Sequence, residues 1–444
     1  NHAEGRFSLW KTVLEPFEAP KTERIAGADG FGDYAEGGDK SLVLFNGNIF
    51  KLNLDANKVD PVNISYTFRR NLQAEFTQIF QEAWAQLDEN FYDEKFHGID
   101  WRATRKRFEA YLPMLNTRAD LRILLNDMLG ELNSSHQGFN TFGDDENVSL
   151  SNRTMETGIL FDNNNPYLVK SVIEGSNADK AGIDIKPGDI LVKVNDETVD
   201  TQTDRNYYFS KPSLDGEIRL GFMRNGQPYT VKIHPQSSIG ALLQDDWIRT
   251  NQERVDTKTN NRVAYHAMKD MGTDELDKFL IDMTQDFYKK DALILDLRYN
   301  TGGNVHDEVL RFLSQRSYLQ WKYREGKLTP QSNFSPSDKP IILLINEQSL
   351  SDAEMTAQGF KSLKLGKIVG TGTYRWIIFT SGASLVDGSF IRLPGWGCYS
   401  LDGKDIEVTG VDPDIKVPMN FEDRINKRDP QLDRAIEEIL KQLK

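Results

Sequence analysis

Residues 343–360 read LLINEQSLSDAEMTAQGF. The run opens as an aliphatic strand and passes into a helix almost without a turn. Ser349, Ser351, Asp352 and Glu354 crowd the junction. Ser351 and Glu354, three residues apart, match a capping box, in which the serine caps the first amides and the glutamate reaches back. The same placing suits a nucleophile on a strand-to-helix turn, with a backbone amide aimed at a developing oxyanion. The stretch alone leaves both readings open, because a motif is a hypothesis until its context is known.

That context is an alternation of strands and helices from 262 to 418. RVAYHAM (262–268), ALILDLRYN (292–300), PIILLIN (340–346) and KIVGTGT (367–373) are short aliphatic runs. Helical patterns near 273–289, 304–315 and 352–364 separate them, which predicts α/β crossovers. A second sharp turn lies in LILDLRYNTGGNVHDEVL (293–310), where Gly302 and Gly303 let backbone amides approach a ligand. Both turns are expected at the carboxyl ends of neighbouring strands, where open α/β sheets hold their ligands.

Upstream the periodicity changes twice. Leu72, Phe76, Ile79, Phe80, Ala83, Trp84 and Leu87 recur at helical spacing. A second helix carries Trp101, Phe108, Tyr111 and Leu112 and ends near Pro113. A third opens at Thr117 with Asp120 as a partial capping box and runs through Leu121, Leu124, Leu125, Met128 and Leu129. The bundle ends in ELNSSHQGFN (131–140), which displays Ser134, Ser135 and His136. Between 155 and 235, TGILF, PYLVKSVI, GSNADKAGIDIKPGDILVKVNDETV and EIRLGFMRNGQPYTVKI read as strands around one short helix at NADKAG. This segment resembles a PDZ domain. The resemblance implies that Gly158, Ile159 and Leu160 form the loop and edge strand that receive a peptide by strand addition. In SLVLFNGNIFKLNL (41–54) the NGN reads as a tight hairpin turn, and residues 1–66 form a β-rich arm without a core of their own.

The chain is a multidomain α+β protein, divided as 1–66, 67–150, 151–240 and 241–444. Its length of 444 residues suits about three domains of ~150 residues. Seven Trp and 24 Phe supply the apolar mass for real cores. A net charge of −13 argues against a nucleic-acid partner or an anionic membrane surface, and no apolar run is long enough for a membrane span. The single Cys398 excludes an intrachain disulfide and a cysteine zinc site. A start at Asn1 without Met reads as a processed or truncated piece.

A hydroxyl nucleophile needs a base. Of the six histidines, His2 lies at a terminus, His97 in a polar loop, His234 and His266 in strand patterns, and His306 beside Asp307 and Glu308 on a helix. His136 alone follows two serines in a loop. SSHQGF, the PDZ-like segment, LDLRYNTGG, SLSDAEM and IEVTGVDPDIKV occur in the order and spacing of the tricorn protease family, which shares a clan of serine peptidases with the carboxy-terminal processing proteases. The resemblance covers residues 66–420. It implies Ser351 as nucleophile, His136 as general base, Ser135 as the serine orienting it and Glu407 as the carboxylate behind that serine. It further implies oxyanion donors at the amides of Gly302 and Asp352, no metal, and no organic cofactor.

The processing proteases use a lysine base about 25 residues after the serine. Here Arg375, Trp376 and Ile377 stand in that region, which disfavours a Ser–Lys dyad. TYRWIIF (373–379) is bulkier than the tricorn turn, and the acidic residue of the tricorn specificity pocket has no counterpart between Asn304 and Trp321. The expected function is a serine endopeptidase that hydrolyses peptides or unfolded segments through an acyl-enzyme, with an apparent pKa of ~6.5–7 for its base. The rivals are a non-catalytic binding protein of the same fold and a PDZ module with a vestigial catalytic domain. The resemblance implies a cytoplasmic setting, or export if a signal peptide has been removed. It also leaves room for a homo-oligomer, and for residues 1–66 as the remnant of a propeller.

Overall fold

Strands as apolar as residues 341–345 need cover on both faces, which a parallel sheet between helices provides. The computed structural model describes residues 2–3, 6–29, 33–37, 40–45, 48–65, 67, 69–141, 154–210, 216–330 and 339–443. Val263–Ala267, Ala292–Asp296, Ile341–Ile345, Lys367–Gly370 and Ile415–Lys416 lie side by side in chain order, all parallel. Successive strand residues face opposite ways. Leu293, Leu295, Leu343 and Ile345 therefore meet the helices Thr273–Gln285, His306–Ser314 and Asp352–Ser362. Ile294, Ile342 and Leu344 meet Gly240–Thr259 and Pro430–Gln442 on the other face. Those last two helices were not anticipated from the sequence.

At the carboxyl end of Ala292–Asp296 the chain is fixed by a buried ion cluster. Arg298, fully buried, bonds Asp296 at 2.7 Å and Asp429 at 2.9 Å, and the Trp247 ring lies 5.2 Å from its guanidinium carbon. Such a cluster is rigid because breaking either pair would strand a charge in the interior. The neighbouring strand Ile341–Ile345 ends beside it, so the Gly302–Gly303 turn and the Ser351 turn are adjacent, as expected.

The helices Leu72–Asn90, Trp101–Glu109 and Arg118–Gly130 form the expected bundle, and the Thr117–Asp120 capping box closes in both directions at 3.1 and 2.9 Å. The bundle does not bury its core alone. Gly138–Asn140 pairs with Phe390–Trp396, which pairs with Phe379–Ser384. Leu385, Ile391 and Leu393 from this hairpin complete the bundle core around Phe80, Leu125 and Phe139. Buried Arg118 reinforces the joint by bonding Glu75 and Asp387. The hairpin ties the His136 loop to the sequence around Ser351.

Residues 154–239 hold a third core, with Ile190–Val194, Ile218–Arg224 and Gln227–Ile233 antiparallel and Ile159–Phe161 paired to Val169–Val172. Besides the short 3-10 turn Asn177–Asp179, a helix Arg205–Phe209, capped by Asp204, was missed by the sequence reading. Residues 1–71 form a compact unit apart from 72–444. Their described strands order as one seven-stranded sheet whose buried apolar residues are Ile25, Ala28 and Val43. The expected NGN turn at 46–48 falls on Asn46 and Gly47, outside the described residues, as do the boundary residues 66 and 150–151. No described helix is long and apolar enough to cross a membrane.

Candidate active site

Ser351 sits at the junction between Ile341–Ile345 and Asp352–Ser362 with φ 57° and ψ −121°. Positive φ on a serine stores strain that surrounding contacts must hold, a feature that concentrates at functional turns. Ser351 N–H donates to Trp376 O at 2.9 Å and to Glu354 Oε1 at 3.2 Å. Glu354 thus makes the return half of the capping box. Its carboxylate also accepts from Thr373 Oγ1 at 2.5 Å, Arg375 N at 2.9 Å and Trp376 N at 2.8 Å. Burial holds this carboxyl above its usual pKa despite those donors. Sequence reading saw Glu354 only as a cap; here it fastens the Ser351 turn to residues 373–376.

The Ser351 hydroxyl faces a histidine from the bundle. His136 Nε2 lies 2.9 Å from Ser351 Oγ, and His136 Nδ1 lies 3.0 Å from Ser135 Oγ. Ser135 Oγ donates to Glu407 Oε2 at 2.9 Å, and Ser135 N to Glu407 Oε1 at 2.7 Å. A carboxylate only accepts, so the Ser135 hydroxyl spends its proton there and is left to accept from Nδ1–H. That assigns the tautomer, with the Nε2 lone pair turned to the Ser351 hydroxyl. Glu407 is anchored further by Ile377 N at 2.8 Å. It lies on the short helix Ile406–Thr409 and is buried.

His136 is itself buried, edge-on to Trp376 with ring centroids 5.5 Å apart. Burial, together with the Arg392 guanidinium, pushes its pKa down to about 4, below the ~6.5–7 expected from sequence. The nearby Arg392 belongs to the strand that pairs with Gly138.

The two expected oxyanion donors differ. The amide of Asp352, first in its helix, makes no hydrogen bond among the described residues and stays open. Gly302 is pressed against the nucleophile, for a Cβ there would fall 2.6 Å from Ser351 Cβ. Its amide, however, is engaged by Asn300 Oδ1 at 2.9 Å, so the open amide on this turn is that of Gly303. Of the two expected donors, Gly302 therefore has its amide already bonded, and Asp352 does not. The Asp352 carboxylate turns away and holds His306, at 2.6 Å from Nδ1 and 3.0 Å from the backbone N, raising the imidazole pKa. Ser349 is structural: its hydroxyl donates to Leu297 O at 2.7 Å, joining the two strand ends. His97 lies elsewhere, against Tyr92 and Leu132, and His266 pairs with Asp282.

Comparison with known proteins gives three matches along the chain. Residues 72–130 match the tricorn protease C1 domain, 168–208 a PDZ domain, and 262–417 peptidase family S41. A tricorn-like protease C-terminal subunit of Sulfurisphaera tokodaii is 28% identical over 383 residues, covering 84% of this chain and 44% of that protein. A tricorn protease homolog of Saccharolobus solfataricus is 27% identical, covering 97% of this chain and 42% of its own length. The chain thus carries a segment that matches peptidase family S41 and is similar to tricorn-like proteases. It spans less than half the length of these relatives. The fold agrees with a crystal structure of the tricorn protease at a TM-score of 0.77, with 23% identity over 95% of this chain and 42% of that one.

The PDZ part of this tricorn-like chain has its own groove. Gly158, Ile159 and Leu160 line a cavity of about 360 Å³ opposite Arg205 and Phe209. Gly158, at φ 86°, admits no side chain, since a Cβ would fall 2.1 Å from Ser176 Cβ.

Proposed function

We propose that the chain is a serine endopeptidase whose nucleophile is Ser351 and whose general base is His136. The observation that carries this reading is the unbroken line of hydrogen bonds Ser351–His136–Ser135–Glu407, built from three separated segments. His136 Nε2 takes the hydroxyl proton as Ser351 Oγ attacks a peptide carbonyl. The positive charge on the imidazole is held through Ser135 by Glu407. The developing oxyanion meets the amides of Asp352 and Gly303, and the positive end of the helix Asp352–Ser362 adds to them. His136 then returns its proton to the leaving amine, and a water repeats the sequence to release the acyl group.

Substrates are peptides or unfolded segments, since an extended backbone is what an edge strand such as Ile159–Phe161 accepts. In this scheme residues 67–150 deliver the base, 151–240 hold substrate and 241–444 carry the nucleophile. The test is labelling with a fluorophosphonate probe, followed by peptide mapping. Label is expected on Ser351, none in Ser351→Ala, and a rate reduced by about three orders of magnitude in His136→Ala. Absence of label, with no hydrolysis of an unfolded protein, would favour the binding-protein rival.

A further inference from the structure

A second cavity, of about 600 Å³, opens between the helix Gly240–Thr259, the turn at Tyr299 and the segment 419–429. None of Ser351, His136, Ser135 or Glu407 lines it. Its size is that of a small-molecule site. Trp247 and Tyr299 meet edge-to-face within it, ring centroids 5.6 Å apart, and Leu243 and Met419 extend the apolar wall. Tyr299 has φ 63°, a strained backbone for an aromatic residue, and such strain gathers at ligand clamps.

The charge of the lining runs against that of the protein. A chain of net charge −13 here presents Arg254, Arg424, Lys427 and Arg428 against only Asp246 and Asp429. Both acids already have cationic partners, Asp429 in buried Arg298, which it shares with Asp296, and Asp246 in Arg249. The three arginines hold carboxylates outside the lining: Asp433, Glu347 and Asp423. Lys427 has no carboxylate partner among the described residues. Lys427 is exposed and shares the cavity lining with Trp247 and Tyr299, so its ammonium is the lining cation left to meet a ligand.

The geometry points to a binding site for an apolar or aromatic carboxylate, its body against Trp247 and Tyr299 and its carboxylate at Lys427. A peptide's C-terminal residue and a free small acid share that chemistry. The site does not depend on the catalytic reading, because it shares no residue with the proposed tetrad. It does adjoin the Gly302–Gly303 turn in sequence. Tyr299 precedes Asn300, whose carbonyl accepts from Leu350 N at 3.1 Å and whose side chain holds Gly302.

Calorimetric titration of the whole chain tests this, using N-acetyl-Phe-Phe as the free acid, its C-terminal amide, and 3-phenylpropionate. One site per chain is expected for the dipeptide acid, with the amide at least tenfold weaker. Lys427→Glu, at an exposed position, should weaken the acid at least tenfold while circular dichroism stays unchanged. Phenylpropionate within tenfold of the dipeptide acid identifies a free small acid as the sufficient ligand; a larger gap identifies the peptide terminus. Equal binding of acid and amide to the wild-type chain, no binding by either acid, or acid binding undiminished in a folded Lys427→Glu chain would overturn the assignment.

Discussion

Glu407→Gln isolates the electrostatic share of the relay from its geometry. Oε2 accepts from two donors, Ser135 Oγ and Ile377 N, and Oε1 from Ser135 N alone. A glutamine therefore keeps its carbonyl oxygen at the Oε2 position and turns its NH2 toward Ser135 N–H. One buried donor loses its acceptor, costing about 1–3 kcal/mol of stability. The Ser135 hydroxyl still donates to oxygen and still accepts from Nδ1–H, so the histidine tautomer survives. What disappears is the negative charge. The serine bridge, with legs of 3.0 and 2.9 Å, places the carboxylate about 5 Å from Nδ1. At an effective dielectric of about 20 that charge is worth about 3 kcal/mol to the imidazolium, or roughly two orders of magnitude in acylation rate. The assay is the second-order rate of fluorophosphonate labelling, read beside the melting temperature. A rate within threefold of wild type would show that the charge is not felt at His136. A rate as low as that of Ser351→Ala in a folded chain would show that geometry, not charge, has been lost.

Other perturbations follow from the same contacts. If His136 is the base proposed, it acts as neutral imidazole, and with its pKa pushed down to about 4 labelling should persist as pH falls through 6 and halve near 4; Arg392→Gln removes one cause and should move that limb upward, which a pH–rate profile reads. Gly302→Ala meets φ 80° and a Cβ 2.6 Å from Ser351 Cβ, so thermal unfolding should show a loss of at least ~1–2 kcal/mol and labelling should fall with it. His306 has its pKa raised by Asp352, so its stabilisation is complete below the unfolded value and is lost as pH rises through the folded one; His306→Asn should flatten stability against pH above ~6.5 in urea titrations.

What sequence made legible was whatever depends on near neighbours. The aliphatic run at 341–345, the Thr117–Asp120 cap and the glycines at 302–303 each announce a local backbone state through spacing or side-chain volume. The helix Gly240–Thr259 escaped notice because it buries only Asn251, Val255 and Thr259, too few apolar residues to set a period. Arg205–Phe209 is too short to show one. The pairing of Gly138–Asn140 with Phe390–Trp396 joins segments far apart in sequence, and nothing in GFN marks it. Glu354 was read correctly as a cap, yet three of its four donors come from residues 373–376, which no local pattern connects to it. The bond from the Gly302 amide to Asn300, two residues before it, is local, yet the spacing of the glycines does not announce it.

The shared core of the bundle and the hairpin also sets an order of events during synthesis. Ser135 and Glu407 are 272 residues apart, and His136 and Ser351 are 215 apart. At about 5–20 residues per second, a ribosome needs roughly 15–50 s to pass from the first relay residue to the last. Through that interval the helices Leu72–Asn90 and Arg118–Gly130 expose the apolar surface that Leu385, Ile391 and Leu393 later cover, a surface suited to chaperones. The histidine is made first, then the serine, and the carboxylate last. Until residue 407 has left the ribosome and the hairpin has closed, Ser351 and His136 lack the packing that sets them 2.9 Å apart.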